Sequence, residues 1–385
     1  MSKPFNLWLL VHPFILILVI NFFIIGENLH VYLAYSFLKG SLSLVKLPLL
    51  LLDLAHFNNQ YFLPFGLFPA MALTPLVVIF GTNFQESFIK FPFTLLNFWL
   101  VFQITKTLKL SFNKSIYLSI FFIFGSIYTP VATIPFSAYL SQVITTSLLL
   151  LAVYEFLTKR RYFLIGIAVA FATLTRFTLI TSSIFFLIFL LKKPSNPLNI
   201  IKFSLPIAAA IILFGFYNLA RFGNILENGY RHQIITEEAA KRREQGLFSA
   251  KHIPANLYYM LIKTLDPVLL DDSHVLKPPY LRADYYGMSI FFLSPVLFLL
   301  FKTNLKDRLV KACFLATILM LAPILSYYGI GARQIGYRYA LDFYPFLLIP
   351  LAIAIKKTDE ILLKFLVIAG VMITWFFTIE MLLGF

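Results

Sequence analysis

The chain has 385 residues, of which 60% are hydrophobic and only 13% charged, with a mean hydropathy of +0.84. That composition fits one polytopic membrane domain, 1–385, and leaves no room for a second soluble domain of normal size. The net charge of +15 would suggest nucleic acid in a soluble protein, but here it reads as basic residues retained in cytoplasmic connections. The single cysteine, Cys313, excludes a disulfide framework and a Cys-based metal site.

The predicted elements are apolar helices, each reaching or approaching the roughly 20 residues that cross a bilayer. In chain order they lie near 8–25, 66–81, 88–106, 115–128, 136–154, 162–175, 177–191, 203–219, 287–301, 312–328, 339–355 and 361–383. The first is expected to be a retained span and not a signal peptide, because no small-residue cleavage site follows it. Between them lie basic clusters: Lys106, Lys109 and Lys114; Lys159, Arg160 and Arg161; Lys192, Lys193 and Lys202; Lys302, Lys306, Arg308 and Lys311; Lys356 and Lys357. The positive-inside rule places all of them in the cytoplasm. Two spans separate each successive pair, whereas three segments separate Lys3 from Lys106. One of those three therefore should not cross. The segment 66–81, short and interrupted by Pro69 and Pro75, is the weakest. The expectation is an all-α protein of about 11 transmembrane helices, N-terminus inside and C-terminus outside, with juxtamembrane helices in the first extracytoplasmic loop.

This topology gathers three polar regions on one outer face: a first loop over 26–87, a second over 220–286, and a short connection over 329–338. In the first, Glu27 directly follows the opening span. Residues 28–38 read as a short amphipathic helix ending at Gly40, and the spacing of Glu27 and His30 puts them on one face. The plain alternative is an acid favoured by a helix N-terminus. Asp53 heads a stretch with His56 that reads equally as a loop with an N-capping aspartate. Together the two carboxylates and two histidines suit activation of a hydroxyl.

The second loop carries Arg221, Glu227, Tyr230 and a charged, solvated helix over 236–245. The third carries Arg333, Arg338 and Tyr339, with Asp342 four residues beyond Arg338 and able to pair with it. Arg176 lies between two apolar runs, where an arginine can simply snorkel. Four arginines on one face beside carboxylates suggest an anion, and a lipid-linked phosphate is the obvious anion at that depth.

These stretches resemble the GT-C superfamily of polytopic membrane glycosyltransferases, in particular family 39 and the bacterial proteins like the protein mannosyltransferases. The resemblance is carried by His30–Leu42 after the first span, and by Asp53–Tyr61 with Leu63-Pro64-Phe65, Pro69–Pro75 and Phe80-Gly81. Ala220–Asn224 with Gly229-Tyr230, and Gly336–Asp342, carry it further. It covers most of the chain through degenerate motifs. It implies a GT-C-like fold in a bacterial cytoplasmic membrane, and an inverting enzyme with its active-site loops outside the cytoplasm. Such an enzyme moves a sugar from a polyprenyl-phosphate donor to a hydroxyl on a glycan, lipid or protein acceptor.

In such enzymes an acid just after the first span is usually the base. Glu27 is the nearest match, with Asp53 second. His30, His56, Arg176, Arg221, Tyr230, Arg333, Arg338 and Tyr339 are then expected to bind substrate or the donor phosphate. A divalent metal, Mg or Mn, is left open, and no nucleic acid is expected. The chain departs from the family pattern in two places. Asn28 stands where an acidic pair would continue, and no basic residue accompanies Pro64. Two other readings remain. A lipid or polysaccharide transporter or flippase would need charges within its spans, of which His12 and Glu380 are the main ones. A catalytically degenerate binding protein would keep the same fold.

Overall fold

The computed structural model describes residues 7–192 and 196–384. Lys3 and Lys193 fall outside the described residues. The molecule is mostly helical with little sheet. Five helices are long and apolar enough to cross a membrane: Glu86–Thr107, Ser137–Leu157, Pro197–Phe222, Arg308–Ser326 and Glu360–Leu383. Seven more apolar helical segments have 10–17 residues. Eleven of the twelve expected segments overlap these helices, the remaining helix being Leu29–Leu38 in the first loop, and helix length alone does not deliver eleven crossings. The segment near 287–301 is not one helix. It resolves into a short turn over Ile290–Leu293 and a 3-10 stretch over Pro295–Lys302.

In chain order, α1 (Val11–Phe23) leads through Gly26 and Glu27 to α2 (Leu29–Leu38). A hairpin follows, β1 (Ala55–Phe57) and β2 (Gln60–Phe62), and then α3 (Phe68–Phe80). Asn58 and Asn59 turn the hairpin with φ of 48° and 57°, the left-handed pair that a tight two-residue hairpin needs. The next helices are α4 (Lys90–Thr107), α5 (Phe112–Phe124), α6 (Tyr128–Thr133), α7 (Ser137–Leu157), α8 (Tyr162–Thr175), α9 (Ser183–Leu190) and α10 (Pro197–Phe222). The second loop holds α11 (Glu237–Arg243), α12 (Ile253–Leu261), and the hairpin β3 (Asp266–Leu269) and β4 (Leu276–Arg282). After the turn α13 (Ile290–Leu293), the chain closes with α14 (Arg308–Ser326), α15 (Tyr344–Ile355) and α16 (Glu360–Leu383).

Helix α7 is the most deeply buried of the five long helices. It packs between α4 and α8, with α10 beyond α8, while α16 lies on α5. Two glycines fix the chain where it approaches this bundle. A Cβ on Gly26 would sit 2.3 Å from the Pro135 carbonyl oxygen, and one on Gly66 would sit 2.1 Å from that of Leu174. Only glycine permits either approach. The first presses Glu27 against the start of α7. The second presses the loop before α3 against the end of α8, beside Arg176.

Two local expectations are corrected. Helix α2 begins at Leu29 after Asn28, so Glu27 stands outside it and shares no helix face with His30. Its burial is also not amphipathic, since Leu29, His30, Val31, Leu33, Ala34 and Ser36 are all buried. Asp53 caps no helix; its left-handed φ of 68° turns the chain into the hairpin.

Candidate functional site

The three polar regions meet. Asp53 accepts a hydrogen bond on its carboxylate from the Gln233 amide (3.0 Å). The backbones there pair in both directions, Asp53 N–H to the Ile234 carbonyl and Ile234 N–H to that of Leu54, each 2.8 Å. Gln233 in turn accepts from the Tyr328 hydroxyl at 3.3 Å. The second loop is thereby held on the first, with the end of α14 beside it.

Glu27 is held by the start of α7. Its N–H donates to the Pro135 carbonyl at 2.9 Å, and its carboxylate accepts from the Ser137 N–H at 3.0 Å. It therefore caps the N-terminus of α7, not of α2, where the free N–H groups favour an anion. The side chain is open to solvent on one side and crowded on the others. That crowding raises its carboxyl above the ordinary value; the Ser137 bond opposes the shift, and the Asp53 charge adds to it. Asp53 is likewise raised by burial, against the pull of Arg338 and Gln233. Two carboxylates thus share one field with one guanidinium.

That guanidinium is loosely held. Arg338 reaches Gln142 Oε1 at 3.4 Å and the Tyr339 hydroxyl at 3.3 Å. It lies over the rings of Tyr139 and Tyr339, at 5.2 and 4.7 Å. Its Nε is buried with no partner, and it forms no ion pair among the described residues. Arg176 also lies over the Tyr339 ring, at 5.3 Å, and pairs with Asp342 at 3.1 Å. The i, i+4 spacing left a pair between Asp342 and Arg338 open, and it does not form. Residues Arg338–Asp342 form a 3-10 helix, whose three-residue turn takes i and i+4 off a common face. Tyr230 sits close enough to Arg176, Tyr339 and Asp53 to feel their charges.

Behind Glu27 lies a buried polar cluster that sequence reading missed. Glu86 accepts from the His30 N–H at 2.9 Å. Lys90 donates to the Ile134 carbonyl and lies 5.7 Å from the Tyr139 ring. His30 Nε2 meets the Ser141 hydroxyl at 2.9 Å and the Ser137 carbonyl at 3.2 Å. Burial lowers the His30 ring to about 4, so it is neutral at physiological pH. The signal available was a lysine and a glutamate at the mouth of an apolar run, where a charge needs a partner.

Three expected site residues are engaged elsewhere. Arg221 donates to the Leu63 carbonyl and to Asn218, each at 2.9 Å, and stacks 3.8 Å from the Tyr217 ring. His56 is exposed and stacks on Tyr61. Arg333 is exposed and lines a separate cavity. Among the described residues, no group of three or more His, Cys, Asp or Glu side chains is placed to hold a metal ion. Glu27 and Asp53 are thus not part of such a ligand set.

No family model, curated protein or solved structure matches this chain, so the chemistry of the site rests on its own geometry. The fold and site together define a helical, membrane-type protein in which two carboxylates share the field of an arginine that forms no ion pair among the described residues.

Proposed function

We propose that the protein is an inverting membrane glycosyltransferase of the GT-C kind, acting at the extracytoplasmic face of a bacterial cytoplasmic membrane. One observation carries the reading. Glu27, Asp53 and the unpaired Arg338, from regions far apart in sequence, lie close enough for their charges to act on one another. The Glu27 carboxylate takes the proton of an acceptor hydroxyl. That oxygen attacks the anomeric carbon of a polyprenyl-phosphate sugar, and the bond from carbon to phosphate oxygen breaks. The phosphate leaves with the electron pair, and Arg338 meets its charge through the guanidinium fork. Arg176, Tyr230 and Tyr339 line the same anion path, and Asp53 orients the acceptor.

The eleven-crossing topology belongs to the same proposal. It rests on the pattern of basic clusters, with α3 lying along the outer face; at 13 residues α3 is no shorter than α1 or α5, so its length does not single it out. Membranes carrying the protein, supplied with radiolabelled polyprenyl-phosphate sugars, should convert donor to free polyprenyl phosphate and a labelled product. A transporter or a degenerate binding protein would leave the donor intact.

A further inference from the structure

Outside that site, one ionisable group inside a long apolar helix has no assigned role. Glu380 lies near the end of α16, and both its carboxylate oxygens are buried without a hydrogen-bond partner among the described residues. An ionisable group in a membrane helix is costly unless something answers it. Glu380 lines a cavity of about 450 Å³. The walls are the ends of the β3–β4 hairpin at Asp266 and Arg282, the tyrosines 259, 285 and 286, and Arg333. Tyr285 and Tyr286 stand edge to face at 5.2 Å.

The charges around the cavity select its ligand. Asp266 and Asp284 are both engaged by Lys263. Arg282 and Arg333 oppose a cation, and Glu380 with the two aspartates opposes a simple anion. A neutral ligand rich in hydroxyls satisfies both. Its O–H groups donate to Glu380, its oxygens accept from the guanidinium groups, and its C–H faces lie on tyrosine rings. The cavity also connects to that site through one short segment. The Arg333 carbonyl accepts from the Tyr139 hydroxyl at 2.7 Å, and Tyr139 lies beneath Arg338. Gln334 donates to the Tyr286 carbonyl at 2.6 Å and accepts from the Arg338 N–H at 3.4 Å.

We infer that this cavity binds the polyhydroxylated headgroup of the acceptor, with Glu380 as its hydrogen-bond acceptor. The inference rests on the transferase reading for the word acceptor and on the cavity alone for the ligand class. The test uses the full chain in phosphatidylcholine nanodiscs with a photoactivatable alkyl glucoside, the labelled peptides being mapped by mass spectrometry. Label should fall on residues 259–286 and 376–384. Glu380→Gln removes the charged acceptor and should cut labelling at least about tenfold, the lower range for a charge-assisted hydrogen bond, with an unchanged melting temperature. Should that variant fail to fold, Tyr285→Ala, at a half-exposed position, should reduce labelling several-fold.

Competition by unlabelled alkyl glucoside, but not by free glucose, marks a lipid-borne headgroup; competition by both marks a soluble sugar. Labelling spread over lipid-facing helices, indifferent to Glu380→Gln, or competed only by phosphocholine or inorganic phosphate would overturn the inference. Arg338→Ala should leave labelling intact. If donor turnover is absent while the labelling holds, the transferase reading fails and the cavity reading stands.

Discussion

Arg221 and Arg338 sit in similar surroundings to opposite effect. Each lies over tyrosine rings, and each was expected to bind phosphate. Arg221 spends its fork on a backbone carbonyl and an asparagine at 2.9 Å. Arg338 makes only contacts of 3.3 and 3.4 Å, while the Nε of each arginine is buried without a partner. The difference separates an arginine that closes a structure from one that awaits a ligand, and exposure alone does not distinguish them. Arg221→Ala should therefore cost about 3 kcal/mol of stability. It leaves the Leu63 carbonyl without its donor and removes a desolvated cation–π contact. Donor affinity should be unchanged once the protein is folded. Arg338→Ala should do the reverse, costing under about 1 kcal/mol in a detergent melt while weakening donor binding about 10- to 100-fold. Arg338→Lys should recover only part of that loss, since an ammonium lacks the fork. Equal behaviour of the two alanine variants would break the comparison.

The buried cluster behind Glu27 extends the contrast to protons. Burial holds His30 at about 4 in the folded protein, against about 6.5 when unfolded. The unfolded state binds more protons between those values, so stability is fully present above about 6.5 and is lost as pH falls toward 4. From pH 7 to pH 5 the His30 contribution alone should fall by about 2 kcal/mol, while Glu86, raised by burial to about 7, works in the opposite direction. The His30 part is therefore read as the difference in melting temperature between the wild type and His30→Gln across that range; a difference that does not change with pH would contradict it.

Smaller effects follow at the edge of the site. Asp53→Asn keeps the Gln233 contact and should lower turnover by about tenfold, less than loss of a base. Asn83, exposed just beyond α3, should as Asn83→Cys react with an impermeant reagent added outside the cell. The native Cys313 is buried and should stay silent. Reaction only from the cytoplasmic side would sink the eleven-crossing topology.

Much of this was legible in the sequence. The apolar runs mark the helices, Gly40 closes α2 with a φ of 72°, and Thr236 caps α11 through a bond to the Ala239 N–H. The three polar regions were separable, and Glu27, Asp53 and Arg338 stood out as charges at their edges. What escaped depended on period and on inward facing. The Arg338–Asp342 spacing was measured on an α-helix, but the segment winds as a 3-10 helix. Gln142 and Tyr139 look like ordinary members of an apolar run, because nothing in a single sequence says which face of α7 is buried. Asn58-Asn59 carried a hairpin signal that the surrounding aromatic and amide pattern obscured. Gln233 could not have been found, since its role is to bridge to a residue 180 positions away.

The central claim, that Glu27 is the base of a sugar transfer, is tested most directly by Glu27→Gln assayed with a radiolabelled polyprenyl-phosphate sugar. Glutamine keeps an oxygen to accept from Ser137 N–H, so the start of α7 and donor binding should persist. Turnover should fall at least about a hundredfold. The wild-type rate should decline as pH falls through the raised Glu27 value, above the ordinary carboxylate range, and that limb should vanish in the variant. Full turnover in Glu27→Gln, with the acid limb in place, would contradict the account.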